Sequence, residues 1–315
     1  MKFPSPSSAE AVVAVTDLTR RFGSKTAVNN VSLYVPRGGV FGLVGENGAG
    51  KTTLIKHLLG LLAAQSGLVR VFGLDPVAEP KAVLSRIGYL SEQPDLPGWM
   101  RVDELLRYTQ AFYPKWDMAY AEQLREQFGL SQAQRIKTLS KGQLTKAALL
   151  TAQAHRPDLL LLDEPSSGLD PLVRRDILEA VIRTVADEGR TVFFSSHLLE
   201  EIERVSDHIA MLHQGGLVMC GPLDEVKAQH HRVTLHFDTA QSRPPDIPGA
   251  LSVTGLAKEW VVLCNSGWGQ LPAAADRLGA RIVEEQAPSL NEIFIAYAGM
   301  GTAELPMQPQ PTIMD

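Results

Sequence analysis

Gly45-Glu46-Asn47-Gly48-Ala49-Gly50-Lys51-Thr52 is the stretch from which the fold can be read. Two glycines separated by four residues and followed by Lys and Thr form a phosphate-binding pattern. Small residues let the backbone wrap closely, so successive N–H groups can point inward at phosphate oxygens. The helix that follows adds the positive field and unpaired donors of its N-terminus. Lys51 supplies a point charge for β- and γ-phosphates, and Thr52 a hydroxyl for Mg²⁺. The context agrees: a β-like run, Val40–Val44, precedes the loop, and a helical pattern starts near Lys51. Alone, the loop predicts only nucleoside triphosphate binding, with GTPases, kinases and motor ATPases all open.

Leu159-Leu160-Leu161-Leu162-Asp163-Glu164-Pro165 is an apolar run ending in two carboxylates. Four leucines in a row read as a strand buried on both faces, in the middle of a mainly parallel sheet. Ligands of open α/β sheets bind at the carboxyl ends of the strands, where the phosphate loop also emerges. Successive strand residues point in opposite directions, so the two acids should differ in role. Asp163 is placed to hold Mg²⁺ through water, and Glu164 to polarise an attacking water as general base.

Around these landmarks, β-like runs at Val31–Val35, Gly67–Gly73 and Thr191–Phe194 alternate with helical patterns. The fold class is therefore α/β. Residues 94–140 differ, being mostly helical and rich in aromatics, with Trp99, Tyr108, Phe112, Tyr113, Trp116 and Tyr120. Helical character resumes at Gly142–His155. After about Gln229 the pattern changes again. Strand-like Arg232–Asp238 and Trp260–Cys264, a helix around Leu271–Leu278 and a strand at Arg281–Glu285 predict a small α+β domain over 232–299. Ser289 and Glu292 form a capping-box pattern before Ile293–Tyr297. The Pro/Ser-rich residues 1–10 and the Pro/Gln-rich residues 300–315 read as disordered.

The 315 residues carry a net charge of −5, which argues against nucleic-acid binding. Cys220 and Cys264 match no metal-ligand spacing and read as reduced thiols in a cytosolic protein. The first ten residues lack the apolar core of a signal peptide. No apolar run approaches the roughly 20 residues needed to cross a bilayer, so any membrane role works through a partner.

Leu139-Ser140-Lys141-Gly142-Gln143 decides among nucleotidases. Ser140 lies 89 residues after Lys51 and 23 before Asp163. Here the chain resembles the ABC ATPase family over residues 11–230, and the pentapeptide is similar to that family's signature motif. Phe22 resembles its adenine-stacking aromatic, Gln93 its Q-loop glutamine, Ser167-Gly168-Leu169-Asp170 its D-loop, and His197 in Ser195-Ser196-His197 its switch histidine. The resemblance implies an ABC-type core with an antiparallel β subdomain and a helical subdomain at about 94–140. The nucleotide-binding domain would span 11–231, followed by an accessory domain over 232–299.

The resemblance also implies a head-to-tail dimer, identical or mixed, with ATP and Mg²⁺ at its interface. Phe22, Val28, Gly45, Asn47, Gly48, Ala49, Gly50, Lys51, Thr52 and Thr53 of one subunit would hold each ATP. Ser140, Gly142, Gln143 and Asp170 would complete the site. Glu164, His197 and Gln93 would be catalytic, and Thr52, Gln93 and Asp163 would serve the metal. Gln93 would couple the site to a separate multi-span membrane permease, placing the chain on the cytoplasmic face of the membrane. Trp99 and Met100, nearest Gln93, are the candidates for the permease groove. Most of the other aromatics read as packing within the helical segment.

Three positions depart from the family's usual residues: Lys141 replaces Gly, Phe22 replaces Tyr, and Glu46 stands where Pro is common. None removes a catalytic group, so the site is expected to be active. Residues 232–299 more weakly resemble the extension on ATPases of the ABC-2 exporter group, which implies export. An importer ATPase shares every motif. A soluble ABC ATPase acting on ribosomes or nucleic acid usually has paired domains or long coiled coils, which this chain does not show. Asp170 alone also reads as a helix N-cap before Pro171.

Overall fold

The computed structural model describes residues 11–186, 189–265 and 268–299, so the expectations for 1–10 and 300–315 lie outside the described residues. The chain runs β1 (Ala11–Phe22), β2 (Lys25–Pro36), β3 (Gly39–Gly45), α1 (Lys51–Leu58), β4 (Ser66–Val71), α2 (Pro80–Leu84) and β5 (Ile87–Leu90). There follow α3 (Val102–Gln110), α4 (Met118–Gln127), α5 (Lys141–Gln153), β6 (Leu159–Asp163), α6 (Pro171–Ala186), β7 (Thr191–Ser196), α7 (Leu199–Val205), β8 (His208–His213) and β9 (Gly216–Pro222). The remainder is α8 (Leu223–Ala228), β10 (His231–Gln241), β11 (Ala250–Cys264), α9 (Leu271–Arg277), β12 (Ala280–Gln286) and α10 (Leu290–Gly299).

The central sheet has the order β5-β6-β7-β3-β8-β9. The pairs β5–β6, β6–β7, β7–β3 and β3–β8 are parallel. The four leucines of β6 are fully buried, as their unbroken apolar run requires. Each contributes about 1.5–3 kcal/mol by leaving water. Phe193 of β7 stacks on Phe41 of β3 at 5.4 Å, which ties adjacent strands together. Register then sets the site: Asp163 lies beside Ser195, and Ser196 beside Val44, the residue before Gly45. Three neighbouring strands thus end together, each delivering polar residues.

A separate antiparallel sheet, β2-β1-β4, shares this core through Val13, Val15, Leu33 and Val71. Two elements carry no sequence signal. β5 is a four-residue edge strand interrupted by Gly88, where a Cβ would collide with the Ala152 carbonyl. α7 is a seven-residue helix following the Ser-Ser-His stretch.

The helical segment holds its own small core of Met100, Val102, Leu105, Leu106, Ala121, Leu124 and Leu130. Met100 is only 4% exposed, and its backbone carbonyl accepts from Ile136 N–H. It is a packing residue, contrary to the interface expectation. Trp99 is 69% exposed, and Tyr108 and Phe112 are also exposed and meet edge to face at 5.1 Å. The surface aromatics are therefore Trp99, Tyr108 and Phe112.

The chain divides into two compact units, with the boundary at Cys220/Gly221 against 231/232 in the sequence reading. The second unit is a β11-β10-β12 antiparallel sheet packed by α9 around Val233, Leu235, Phe237, Trp260 and Val262. Its α10 starts with the capping box: Glu292 N–H donates to Ser289 Oγ at 3.3 Å, and Ser289 N–H to Glu292 Oε2 at 2.9 Å.

Candidate active site

β3 runs straight into the phosphate loop because its last residue and the helix cap are both glycine. A Cβ on Gly45 would lie 2.5 Å from the Leu212 carbonyl oxygen of β8. Gly50 caps α1 at φ 109°, and a Cβ there would strike the Ala27 carbonyl. Between them, Ala49 N–H closes a turn onto the Glu46 carbonyl at 3.1 Å. Asn47 and Gly48 stand exposed at the apex.

Lys51, on the first turn of α1, is 5% exposed. Its Nζ donates to the carbonyls of Gly45 at 2.5 Å and Glu46 at 3.1 Å. It also pairs with Glu164 Oε1 at 2.9 Å. The other oxygen of that carboxylate meets His197 Nδ1 at 2.6 Å and accepts from His197 N–H at 3.3 Å. Glu164 thus bridges Lys51, at the start of α1, and His197, in the loop after β7. Burying Glu164 is tolerable only with such partners.

Glu164 lies one residue beyond β6, with φ at 49°. Left-handed backbone is uncommon for a residue with a Cβ. Here the amide donates to Ser195 O at 3.2 Å and Ser195 Oγ at 3.0 Å, which holds it. Asp163 remains on the strand and faces elsewhere: its Oδ1 accepts from Ser195 Oγ at 2.8 Å, and the Thr52 hydroxyl also bonds to it. Burial raises the proton affinity of Asp163, opposed by these two hydroxyls. Asp163 and Thr52 bring hard oxygen donors side by side, the chemistry that fits Mg²⁺.

The other sequence candidates lie apart from this cluster or serve local structure. Phe22, at the end of β1, is 47% exposed with the Arg20 guanidinium 4.8 Å from its ring centre. Val28 is buried in the core and Thr53 half-buried on α1. Gln93 is exposed in the loop after β5. Ser140 and Gln143 form a capping box at the start of α5, with Gln143 N–H donating to Ser140 Oγ at 3.2 Å and Ser140 N–H to Gln143 Oε1 at 3.1 Å. Gly142 packs where a Cβ would meet Val173 of α6. Asp170 Oδ1 accepts the amides of Leu172 and Val173, both at 3.1 Å, and so caps α6.

Sequence reading missed four residues that hold the cluster in shape: Ser166, Ser195, Ser196 and Glu201. Ser195 links both acids, as described. Glu201, 5% exposed on α7, accepts from Ser166 Oγ at 2.5 Å and Ser196 Oγ at 3.2 Å. It also pairs with Arg174 Nε at 3.2 Å. The available signal was a pair of serines at the end of an otherwise apolar strand, followed by an acid one helical turn beyond His197.

Residues 28–167 match the family model described as ABC transporter. A relative named ABC transporter ATP-binding protein YtrB, from Bacillus subtilis (strain 168), is 29% identical over 291 residues, 91% of this chain and 98% of its own. The bacitracin transport ATP-binding protein BcrA of Enterococcus faecalis is 33% identical, covering 74% of this chain and 76% of its own. Among solved structures, an ATP-binding subunit of an ABC transporter superposes with a TM-score of 0.63 at 30% identity, over 69% of this chain and 92% of the other.

Proposed function

The chain belongs to the ABC transporter ATP-binding proteins and is an ATPase, and from that premise we propose that it drives export through a separate membrane permease. Two subunits close head to tail on ATP, each site pairing one subunit's phosphate loop with the other's Ser140–Gln143 turn. The observation that carries the catalytic assignment is the Glu164 carboxylate held between Lys51 and His197. Incoming phosphates compete for Lys51 and free one carboxylate oxygen to accept a proton from water. His197, already on the other oxygen, keeps that carboxylate oriented and reaches the γ-phosphate. The loop amides and α1's N-terminus bind the phosphates, and the exposed ring of Phe22 stacks on adenine. Thr52 and Asp163 would hold Mg²⁺, with Gln93 joining them on closure of the glutamine loop, and the ion would supply charge neutralisation at the phosphates. Gln93 relays the state of the site to the permease.

In this reading residues 11–231 are the nucleotide-binding domain, and 232–299 an accessory domain that dimerises or regulates. Among the described residues no helix is long and apolar enough to cross a membrane, which is consistent with attachment through a permease at the cytoplasmic face. The surface that supports docking is a cavity of about 340 Å³ lined by Leu59, Leu61, Leu84, Tyr89, Thr109 and Tyr113, with Tyr108 on the same helix as Thr109. Export follows from the resemblance of residues 232–299 to the ABC-2 exporter extension, and a relative named for bacitracin transport supports the transporter reading. A peptide, drug or lipid is the corresponding cargo class.

The test is to tag the Glu164→Gln chain, solubilise membranes of its native cell in mild detergent with ATP, and identify what co-purifies. A multi-span membrane protein is the expected partner. Ribosomes or soluble factors, with nothing from the membrane, would overturn the transporter reading.

A further inference from the structure

Lys141 occupies the first helical position of α5, where a cation opposes the helix dipole. Its Nζ is not left in solvent: it donates to the Ser167 carbonyl at 2.7 Å. The approach needs Gly168, whose φ is 63° and where a Cβ would lie 2.6 Å from that ammonium. On its other side, Ser167 Oγ donates to Glu92 Oε1 at 3.3 Å, and Glu92 precedes Gln93. The 166–170 turn is therefore gripped by a cation from the signature helix and an anion from the glutamine loop. Ser166 is anchored separately to buried Glu201, and Asp170 caps α6, so the turn has little freedom to move alone. A glycine at position 141, the family's usual residue, has no side chain to make this grip.

We infer that Lys141 is a positioning residue that fastens the 166–170 turn to the signature helix, so that both surfaces meet the second subunit's ATP as one body. Glu92 extends the connection to Gln93. The inference rests on the head-to-tail dimer of the proposed function. A charge-assisted hydrogen bond of this kind, at an exposed site, corresponds to an effect of up to about tenfold.

The experiment titrates ATP against dimer formation of the full chain in the Glu164→Gln background, by size exclusion, with ADP binding measured alongside. Adding Lys141→Ala should raise the ATP needed for half-maximal dimer by up to about tenfold and leave ADP affinity within about twofold, because ADP sits on the same chain's phosphate loop. Lys141→Arg should restore the parent curve, since a guanidinium can reach the same carbonyl. Glu92→Ala combined with Lys141→Ala should cost less than the sum of the two. If Lys141→Ala dimerises like its parent, the grip has no role and the inference falls while the dimer stands. If Lys141→Ala and Lys141→Arg both lose ADP binding, the side chain serves folding, and the inference also falls. If the Glu164→Gln parent stays monomeric at saturating ATP, the dimer reading is what fails, and the positioning role with it.

Discussion

The two units of the chain bury polar groups in different ways. In the first, Lys51, Asp163, Glu164, Ser166, Ser195, Ser196 and Glu201 are all nearly inaccessible, and all lie at or just beyond the carboxyl ends of β3, β6 and β7. In the second, His230 is the buried polar side chain among the described residues. It bonds to the Val226 carbonyl and to Tyr297 Oη, an arrangement that satisfies polar atoms and offers no reactive group. Buried charge is costly, so a fold that gathers it in one place marks that place as its candidate functional site. A fold that hides one hydrogen-bonded histidine is organised around its own packing.

That contrast breaks most visibly at Lys51. Lys51→Ala removes the cation shared by the loop carbonyls and Glu164, and should weaken ATP binding about a hundredfold or more, measured by titration calorimetry. An affinity near wild type would show that the buried cluster is structural, like that of the second unit.

A test of pure packing chemistry inside the first unit is available at His155, away from the phosphate loop. Its Nε2 bonds to the Ile87 carbonyl, Tyr113 stacks on its ring at 3.9 Å, and burial lowers its pKa from 6.5 to about 4. The unfolded chain therefore binds a proton more readily than the folded one between these values. Stability is fully present above the unfolded value of 6.5 and is lost as pH falls toward 4. Urea unfolding at about pH 5 should show about 2 kcal/mol less stability from this group than at about pH 7.5. His155→Leu should lack that part of the pH dependence.

The smallest effect is expected in the second unit. Tyr297→Phe removes the hydroxyl that meets His230 and accepts from Asn265 Nδ2 at 3.1 Å. It should cost about 1–2 kcal/mol in thermal unfolding with phosphate release unchanged. Loss of phosphate release at full stability would draw the second unit into the chemistry.

The central sheet was legible because β6 is an unbroken leucine run and β3 ends in glycine, signals strong enough to survive without context. That Lys51 meets Glu164, with Asp163 beside Thr52, followed from one rule about strand ends. What escaped reading depended on backbone conformation or on which face a side chain takes. Glu164 adopts left-handed backbone, which no residue type announces unless it is Gly or Asn. Ser166, Ser196 and Glu201 are ordinary residues in their elements, and only the fold brings them together. Met100 is buried and Tyr108 exposed, the reverse of expectation, because an aromatic-rich amphipathic segment does not say which neighbour covers it. The edge strand β5 is too short, and too broken by Gly88, to show a period.

The most direct test of the account is Glu164→Gln, compared with wild type for ATP binding and phosphate release in the same preparation. The carboxylate between Lys51 and His197 is held to be the base, with nucleotide binding carried by other groups. The account predicts ATP affinity at least as tight as wild type, because no carboxylate then competes for Lys51, and phosphate release reduced at least about a hundredfold. Phosphate release at the wild-type rate would contradict it.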